Sequence, residues 1–202
     1  MVTAQKRQIK HLVTEEEVLA LSPDARVEVI KGEFVETAPV GGRHHFIARN
    51  IFRILDPFVA ANKLGEVFFD GLIYLMFKKS KGLRGALVPD VSFIAKAAIP
   101  ADWDIQRPFP GAPTLAIEIL SPDDDPIQVL AKIRLYLKAG TAQVWVFYPE
   151  QQEIHQYRAD TPDVVRVYMG DGVIDAEALF PGLKLTAAEL FVVPDLEGEK
   201  SG

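Results

Sequence analysis

Two carboxylates and one lysine stand where the surrounding sequence favours buried structure. Asp90 and Glu118 each interrupt a run of apolar, β-favouring residues, and Lys132 lies on the helix predicted to follow. Carboxylates are rarely fully buried unless they are paired or bind a metal ion. On separate core strands, two carboxylates would offer oxygen ligands to Mg²⁺ or Mn²⁺. Such an ion activates a bound water and stabilises charge on a phosphoryl oxygen, and a lysine orients that water or neutralises the developing charge.

Each of these residues also has a structural explanation. Asp90 follows Pro89 and could cap a turn. Glu118 and Lys132 could form a buried ion pair, which is compatible with metal binding. Lys132 could instead be a solvated helix lysine. The three aspartates at 123–125 resemble a metal cluster, but capping and the helix dipole explain acids at a helix start.

Three further residues are weaker candidates for the same site. Glu33 lies at a predicted hairpin, where it would complete the metal shell, orient a water or be an ordinary exposed glutamate. Glu28, on the strand before that hairpin, is favoured less than Glu33. His44, at the start of a predicted helix, would contact a phosphate, act as an acid or base, or be structural.

Composition and charge restrict the classes of protein to consider. The chain has 202 residues and no cysteine, which predicts one domain and excludes disulfides and thiolate zinc sites. No apolar stretch approaches the roughly 20 residues that span a bilayer, and no signal peptide is recognisable. We therefore expect a soluble, cytoplasmic protein with no membrane partner.

The charges are distributed unevenly along the chain. The net charge of −6 argues mildly against a dedicated nucleic-acid binder. Residues 1–100 nevertheless hold 14 Lys and Arg against 11 Asp and Glu, whereas residues 101–202 hold 8 against 17. One basic cluster would be either a solvated hairpin tip or a set of phosphate contacts, and it consists of Lys78, Lys79, Lys81 and Arg84.

The first half of the chain predicts a helix, a hairpin and a long second helix. After a loose arm at 1–13, a capping-box pattern at Thr14 starts a short helix to about Leu21. Strands at 27–30 and 33–37 flank a Lys-Gly turn. Helical spacing runs from about 44 to 64, with Pro57 expected to kink or break the helix and Gly65 to end it.

The second half predicts the strands that carry the acids. Strands are expected at 66–70, 72–77, 86–95, 114–120 and 143–148, with β-type segments continuing to about 169. A helix at 126–139 would separate the last two strands and end at Gly140, and a short helix is expected at 185–191. A strand–helix–strand unit implies a parallel pair with a right-handed crossover. We predict an α/β or α+β domain at 14–193, with a mixed sheet flanked by helices, and a flexible tail at 194–202.

The predicted helix at 126–139 carries apolar residues on two faces. One face is expected to present Ile127, Leu130, Ile133 and Leu137, and the other Gln128, Lys132, Leu135 and Tyr136. A helix that is apolar on both sides is expected to be covered on both sides, which would bury Lys132 partly.

The order and spacing of these motifs resemble the Uma2 family of restriction-endonuclease-like proteins, within the PD-(D/E)XK nuclease superfamily. The resemblance rests on Pro89-Asp90, Glu118 to Pro122, Lys132 with Tyr136 and Gly140, and Trp145 with Pro149, together with residues 28–33, His44 and Asn50. It covers about residues 14–191. It implies a restriction-endonuclease-like core and metal binding at Asp90 and Glu118, with the Ile119 carbonyl as a further ligand.

One residue departs from the superfamily pattern. Leu120 stands where a lysine is expected two residues after the second acid, and Lys132 of the following helix would replace that lysine. The resemblance implies a Mg²⁺- or Mn²⁺-dependent endonuclease acting on DNA, as a homodimer that cuts two strands. The alternatives are a non-catalytic module that binds nucleic acid or protein on a nuclease-like fold, and, favoured least, a structural oligomer with a vestigial site.

Overall fold

Two β-sheets and four α-helices make up the part of the chain that the computed structural model describes. That part comprises residues 12–21, 25, 27–69, 71–77 and 82–194. The helices are α1 Glu15–Leu19, α2 Gly42–Asn62, α3 Pro126–Ala139 and α4 Ala187–Leu190. The strands are β1 Val27–Ile30, β2 Glu33–Glu36, β3 Gly65–Phe69, β4 Tyr74–Met76, β5 Gly85–Leu87, β6 Val91–Ala95, β7 Leu115–Ile119, β8 Gln143–Tyr148, β9 Glu153–Arg158 and β10 Val165–Met169. The predicted α+β fold with a mixed sheet is confirmed, and a second sheet accompanies it.

The mixed sheet has six strands in the order β10-β9-β8-β7-β6-β3. β7 and β8 are parallel, as the intervening helix α3 requires, and every other pair in this sheet is antiparallel. All five residues of β7 are buried, because helices cover both faces. On one face Ile117 packs with Ile51 and Leu55 of α2. On the other face Ala116 packs with Ile133 of α3.

The smaller sheet has the order β2-β1-β5-β4 and is antiparallel throughout. Its residues Ile30 and Leu87 belong to the same apolar cluster as Ile133 of α3 and Val144 of β8. Helix α3 therefore packs against both sheets, as its two apolar faces predict. The face prediction was partly wrong, because Ile127 is 78% exposed and the buried residues are Val129, Ile133 and Tyr136.

The predicted strand at 86–95 is two strands in two different sheets. β5 ends at Leu87 in the small sheet, and β6 begins at Val91 in the mixed sheet. Pro89 lies between these two strands. Its lack of an N–H group therefore removes no hydrogen bond between paired strands. Asp90 is thereby placed at the junction of the two sheets.

Helix α2 continues through Pro57, so the helix does not break there, and the expected kink stays a prediction. The missing N–H costs one helical hydrogen bond, but Ile51, Leu55 and Val59 remain buried along one face and hold the helix against the sheet. The helix ends at Lys63, whose φ of 54° is left-handed, and Gly65 is instead the first residue of β3.

The two ends of the chain agree with the sequence where they are described. Thr14 forms the predicted capping box with Glu17 at the start of α1. Most of the arm at 1–13 and of the tail at 194–202 lies outside the described residues, so their predicted flexibility stays a prediction. Of the helices described, none combines the length and the apolar character that a bilayer crossing demands.

A substitution at Gly65 tests the entry into β3. The φ of Gly65 is +153°, and a Cβ atom there would overlap the Ile94 carbonyl oxygen of the paired strand. We expect Gly65→Ala to lower the free energy of unfolding by about 2 kcal/mol or more. Gly42→Ala is the matched control, because a Cβ there meets no atom within 4 Å. Urea unfolding measures both variants, and equal stabilities would contradict this role of Gly65.

Candidate functional site

A cleft between the two sheets contains four of the predicted site residues. Its volume is about 890 Å³, and strands of both sheets and helices α2 and α3 contribute to its wall. Asp90, Glu118, Lys132 and His44 all line it, together with Glu28. The structure therefore brings distant parts of the sequence into one cavity. Glu28 and Lys132, for example, are 104 positions apart.

Glu118 lies within the buried strand β7 and faces α3. Strand alternation places it on the same face as Ala116, which contacts the α3 cluster. One carboxylate oxygen, Oε2, accepts a hydrogen bond of 2.5 Å from Lys132 Nζ, and Oε1 accepts one of 2.8 Å from the Tyr136 hydroxyl. Lys132 and Tyr136 are four residues apart on α3 and so share one face.

Lys132 also forms an ion pair with a second acid, Glu28 of the small sheet. Its Nζ lies 3.0 Å from Glu28 Oε2, and Glu28 Oε1 accepts a hydrogen bond of 2.9 Å from the Val88 N–H. Glu28 is only 4% exposed. The sequence analysis ranked Glu28 below Glu33, although Glu28 interrupts an apolar strand just as Glu118 does. That shared signal could have identified it.

Asp90 lies immediately before β6, beside the end of β7. Its Oδ2 accepts a hydrogen bond of 2.6 Å from the Ile119 N–H, and its own N–H donates to the Ile117 carbonyl. The other carboxylate oxygen, Oδ1, lies 3.1 Å from His44 Nε2. Asp90 is thus bonded to the two neighbours of Glu118 in β7, and its side chain is 23% exposed.

Burial and mutual repulsion control the charges in this cleft. Burial raises the pKa of Glu118, Lys132 opposes that shift, and the nearby Glu28 and Asp90 reinforce it. Burial alone would lower the pKa of Lys132, but the charges of Glu118 and Glu28 outweigh it and the pKa is raised. Burial and the same acids raise the pKa of Tyr136 well above its ordinary value. Lys132 therefore stays an ammonium and Tyr136 a phenol, so both act as donors.

The donor set fits a divalent cation, although no preformed metal cluster is present. Across the described ranges, no group of three or more His, Cys, Asp or Glu residues is arranged to hold a metal ion. Each oxygen of Glu118 accepts one hydrogen bond and keeps a further lone pair, and Asp90 accepts one at Oδ2 while its Oδ1 contacts His44. Three carboxyl groups face one ammonium here, and burial with the nearby acids raises the pKa of Glu118 to about 8, so a divalent cation would favour the ionised form of Glu118. Asp90 and Glu118 are the residues that would hold it.

Of the other sequence candidates that the structure describes, the three aspartates at 123–125 line the cleft, whereas Glu33 and Arg84 do not. Glu33 is exposed on β2 and is not among the described residues that line the cleft, whereas Glu36 of the same strand is. Asp125 caps α3 by accepting from the Ile127 N–H. Arg84 is exposed before β5 and likewise does not line the described cleft. The other members of the basic cluster, Lys78, Lys79 and Lys81, lie outside the described residues.

The fold and site together define the class of restriction-endonuclease-like proteins: a mixed sheet with one acid before a strand, a second acid inside the next strand and a lysine on the following helix. A sequence model described as "Putative restriction endonuclease", that of Uma2, matches residues 15–188, and the chain belongs to this family. The resemblance found in the sequence is thereby confirmed.

A solved structure with a similar fold supports the same assignment. It is a crystal structure titled as "a putative nuclease belonging to DUF820" from Anabaena variabilis. The TM-score is 0.77 and the sequence identity is 26%, with 89% of this chain and 97% of that chain covered. None of the curated proteins matches the chain.

Removing the ammonium of Lys132 tests the electrostatic account of the cleft. Lys132→Met keeps most of the unbranched side chain but leaves Glu28 and Glu118 buried without their cation. We expect the free energy of unfolding to fall by about 3–5 kcal/mol, as for other broken buried ion pairs. Lys138→Met, an exposed position on the same helix, should change stability by less than about 1 kcal/mol. Urea unfolding at neutral pH measures both, and a Lys132 variant as stable as the control would contradict the account.

Proposed function

We propose that this protein is a Mg²⁺- or Mn²⁺-dependent endonuclease that hydrolyses phosphodiester bonds in DNA. The observation that carries the proposal is the convergence of Asp90, Glu118 and Lys132 in one cleft. Family membership supports the reaction class, since the family is described by its resemblance to restriction endonucleases. Oxygen ligands from two carboxylates suit hard divalent cations, which are common in phosphoryl transfer.

Each of the three residues has a role that follows from its charge. Asp90 and Glu118 would hold the ion, which supplies an activated water and charge stabilisation at the phosphoryl oxygens. Lys132 would donate hydrogen bonds to the attacking water or to a phosphate oxygen. Its raised pKa argues against a role as the general base, because the amine stays protonated. Tyr136 holds Glu118 in place from the opposite oxygen.

The position of Leu120 supports the transfer of the lysine function to α3. Leu120 packs against the α3 cluster, where a charged side chain would lose apolar contacts. Lys132 reaches Glu118 from the helix that follows, at 2.5 Å. The ammonium of Lys132 therefore lies beside Glu118, although residue 120 carries no charge.

The negative charge of the cleft opposes the binding of DNA. Among the described residues of its wall, acidic residues outnumber basic ones, and they include Glu36, Asp123 and Asp124 besides the three central carboxyl groups. A polyanion would be repelled from such a wall without bound cations. We propose that DNA enters only with the divalent ion in place, and that a homodimer presents two such clefts to the two strands.

A second candidate function is a non-catalytic binding module on this fold. One observation favours it: both oxygens of Glu118 are already engaged, by Lys132 and by Tyr136. In that case the contacts of Glu118 with Lys132 and Tyr136 would only stabilise the fold. Binding to nucleic acid or protein would then survive the loss of Asp90.

Nicking of supercoiled plasmid tests the proposed activity. With Mg²⁺ or Mn²⁺, the parent should convert plasmid to the nicked form, and Asp90→Asn and Lys132→Met should each reduce the rate by about 100-fold or more. Asp123→Asn is the control, because Asp123 is an exposed residue of the same cleft. Its rate should stay within about 3-fold of the parent.

The same assay separates the two functions. Equal cleavage by the parent and by Asp90→Asn would indicate a contaminating nuclease and remove the site assignment. No cleavage by the parent under either metal, with DNA binding that survives Asp90→Asn, would favour the binding module instead.

A further inference from the structure

Both oxygens of the Asp90 carboxylate are restrained, each by a different element. Oδ2 accepts from the Ile119 N–H at 2.6 Å, and Oδ1 lies 3.1 Å from Nε2 of His44. The first contact ties Asp90 to β7, and the second ties it to α2. We propose that His44 is a positioning residue that orients Asp90 for cation binding, an inference that rests on the metal site of the proposed function.

The contact favours a hydrogen on one of the two ring nitrogens. A carboxylate oxygen only accepts hydrogen bonds, so the 3.1 Å approach of Nε2 of His44 to Oδ1 is favourable when Nε2 carries a hydrogen. The other nitrogen, Nδ1, is buried and has no partner among the described residues. The only described polar contact of the His44 ring is therefore the one between Nε2 and Asp90.

This contact distinguishes positioning from the other roles open to a histidine. A phosphate contact or proton transfer to DNA needs an accessible ring nitrogen. Nε2 is committed to Asp90, and Nδ1 is closed off from the cleft surface. His45, the next residue, is exposed and lines the same cleft, so it is the histidine of the pair that a substrate would meet.

The burial of His44 supports a functional rather than a packing role. Only 8% of the residue is exposed, and the neighbouring turn of α2 buries Ile47 and Ala48. A buried nitrogen without a hydrogen-bond partner costs free energy that an apolar side chain would avoid. The unpartnered Nδ1 therefore destabilises the fold, and the same side chain places Nε2 beside Asp90. A ligand held by such a partner is pre-oriented, and loss of the partner typically weakens metal binding about 10- to 100-fold.

Calorimetric titration of metal-free protein with Mn²⁺ tests the inference without relying on cleavage. His44→Leu removes the donor, and we expect its Mn²⁺ affinity to fall by about 10-fold or more. His44→Gln can place an amide N–H near the position of Nε2, and its affinity should stay within about 3-fold of the parent. His45→Gln is the matched control and should bind as the parent does.

The outcomes decide between the possible roles. Equal affinity in His44→Leu and the parent would overturn the inference, and so would a His44→Gln variant as weak as His44→Leu. A parent that binds no Mn²⁺ would remove the metal site and the inference together. A parent that binds Mn²⁺ but cleaves no DNA would overturn the proposed activity alone, and the His44 comparison would still stand.

A measurement on the parent protein guards against variants that fail to fold. Long-range ¹H–¹⁵N NMR of the imidazoles reports which nitrogen of His44 carries the hydrogen. We expect a hydrogen on Nε2, bonded to Asp90. A His44 ring with a hydrogen on Nδ1 alone would contradict the inference even if no variant could be purified.

Discussion

The ammonium of Lys132, held between Glu118 and Glu28, is the interaction on which the rest of the site depends. Glu118 belongs to the mixed sheet and Glu28 to the small sheet, so one side chain of α3 connects both. Removing these charges from water is costly, and only mutual pairing with further hydrogen bonds compensates for it. Tyr136 and the Val88 N–H provide those further bonds. The pairing thereby fixes the separation of the sheets and with it the shape of the cleft.

The path of the chain explains why the acids meet at this place. Pro89 marks the point where the chain leaves the small sheet and enters the mixed one, so Asp90 falls at the seam. The adjacent strand β7 places Glu118 on the face that α3 covers. Because β7 and β8 are parallel, α3 must cross over that face, which carries Lys132 to the carboxylate. The strand order and the charge pairing therefore both place Lys132 beside Glu118.

Much of the fold could be predicted because local signals agreed with tertiary structure. The capping box at Thr14, the turn at Lys31-Gly32 and the bounds of α3 with Gly140 follow from residue types with strong backbone preferences. Pro57 does not break α2, because burial of one face of the helix outweighs the loss of one hydrogen bond. The split of the strand at 86–95 depends on pairing with two different sheets, which no local pattern encodes.

The site was predictable to a similar extent. Apolar surroundings identified Asp90 and Glu118, and the structure places both in the cleft with Lys132 and His44. The contact of Glu28 with Lys132 could not be predicted, because the two residues are 104 positions apart and only the folded chain brings them together. The exposed position of Glu33 follows from the register of the hairpin, in which Glu33 pairs with Ile30 at the turn.

The central claim is that Asp90 and Glu118 hold a divalent cation beside Lys132. The most direct test is anomalous diffraction from crystals of the parent protein grown with Mn²⁺. The account predicts an anomalous peak in contact with carboxylate oxygens of both Asp90 and Glu118, with Lys132 still bonded to Glu118. A peak confined to other acids of the cleft, such as Asp123 and Asp124, or no peak at a Mn²⁺ concentration that supports cleavage, would contradict it.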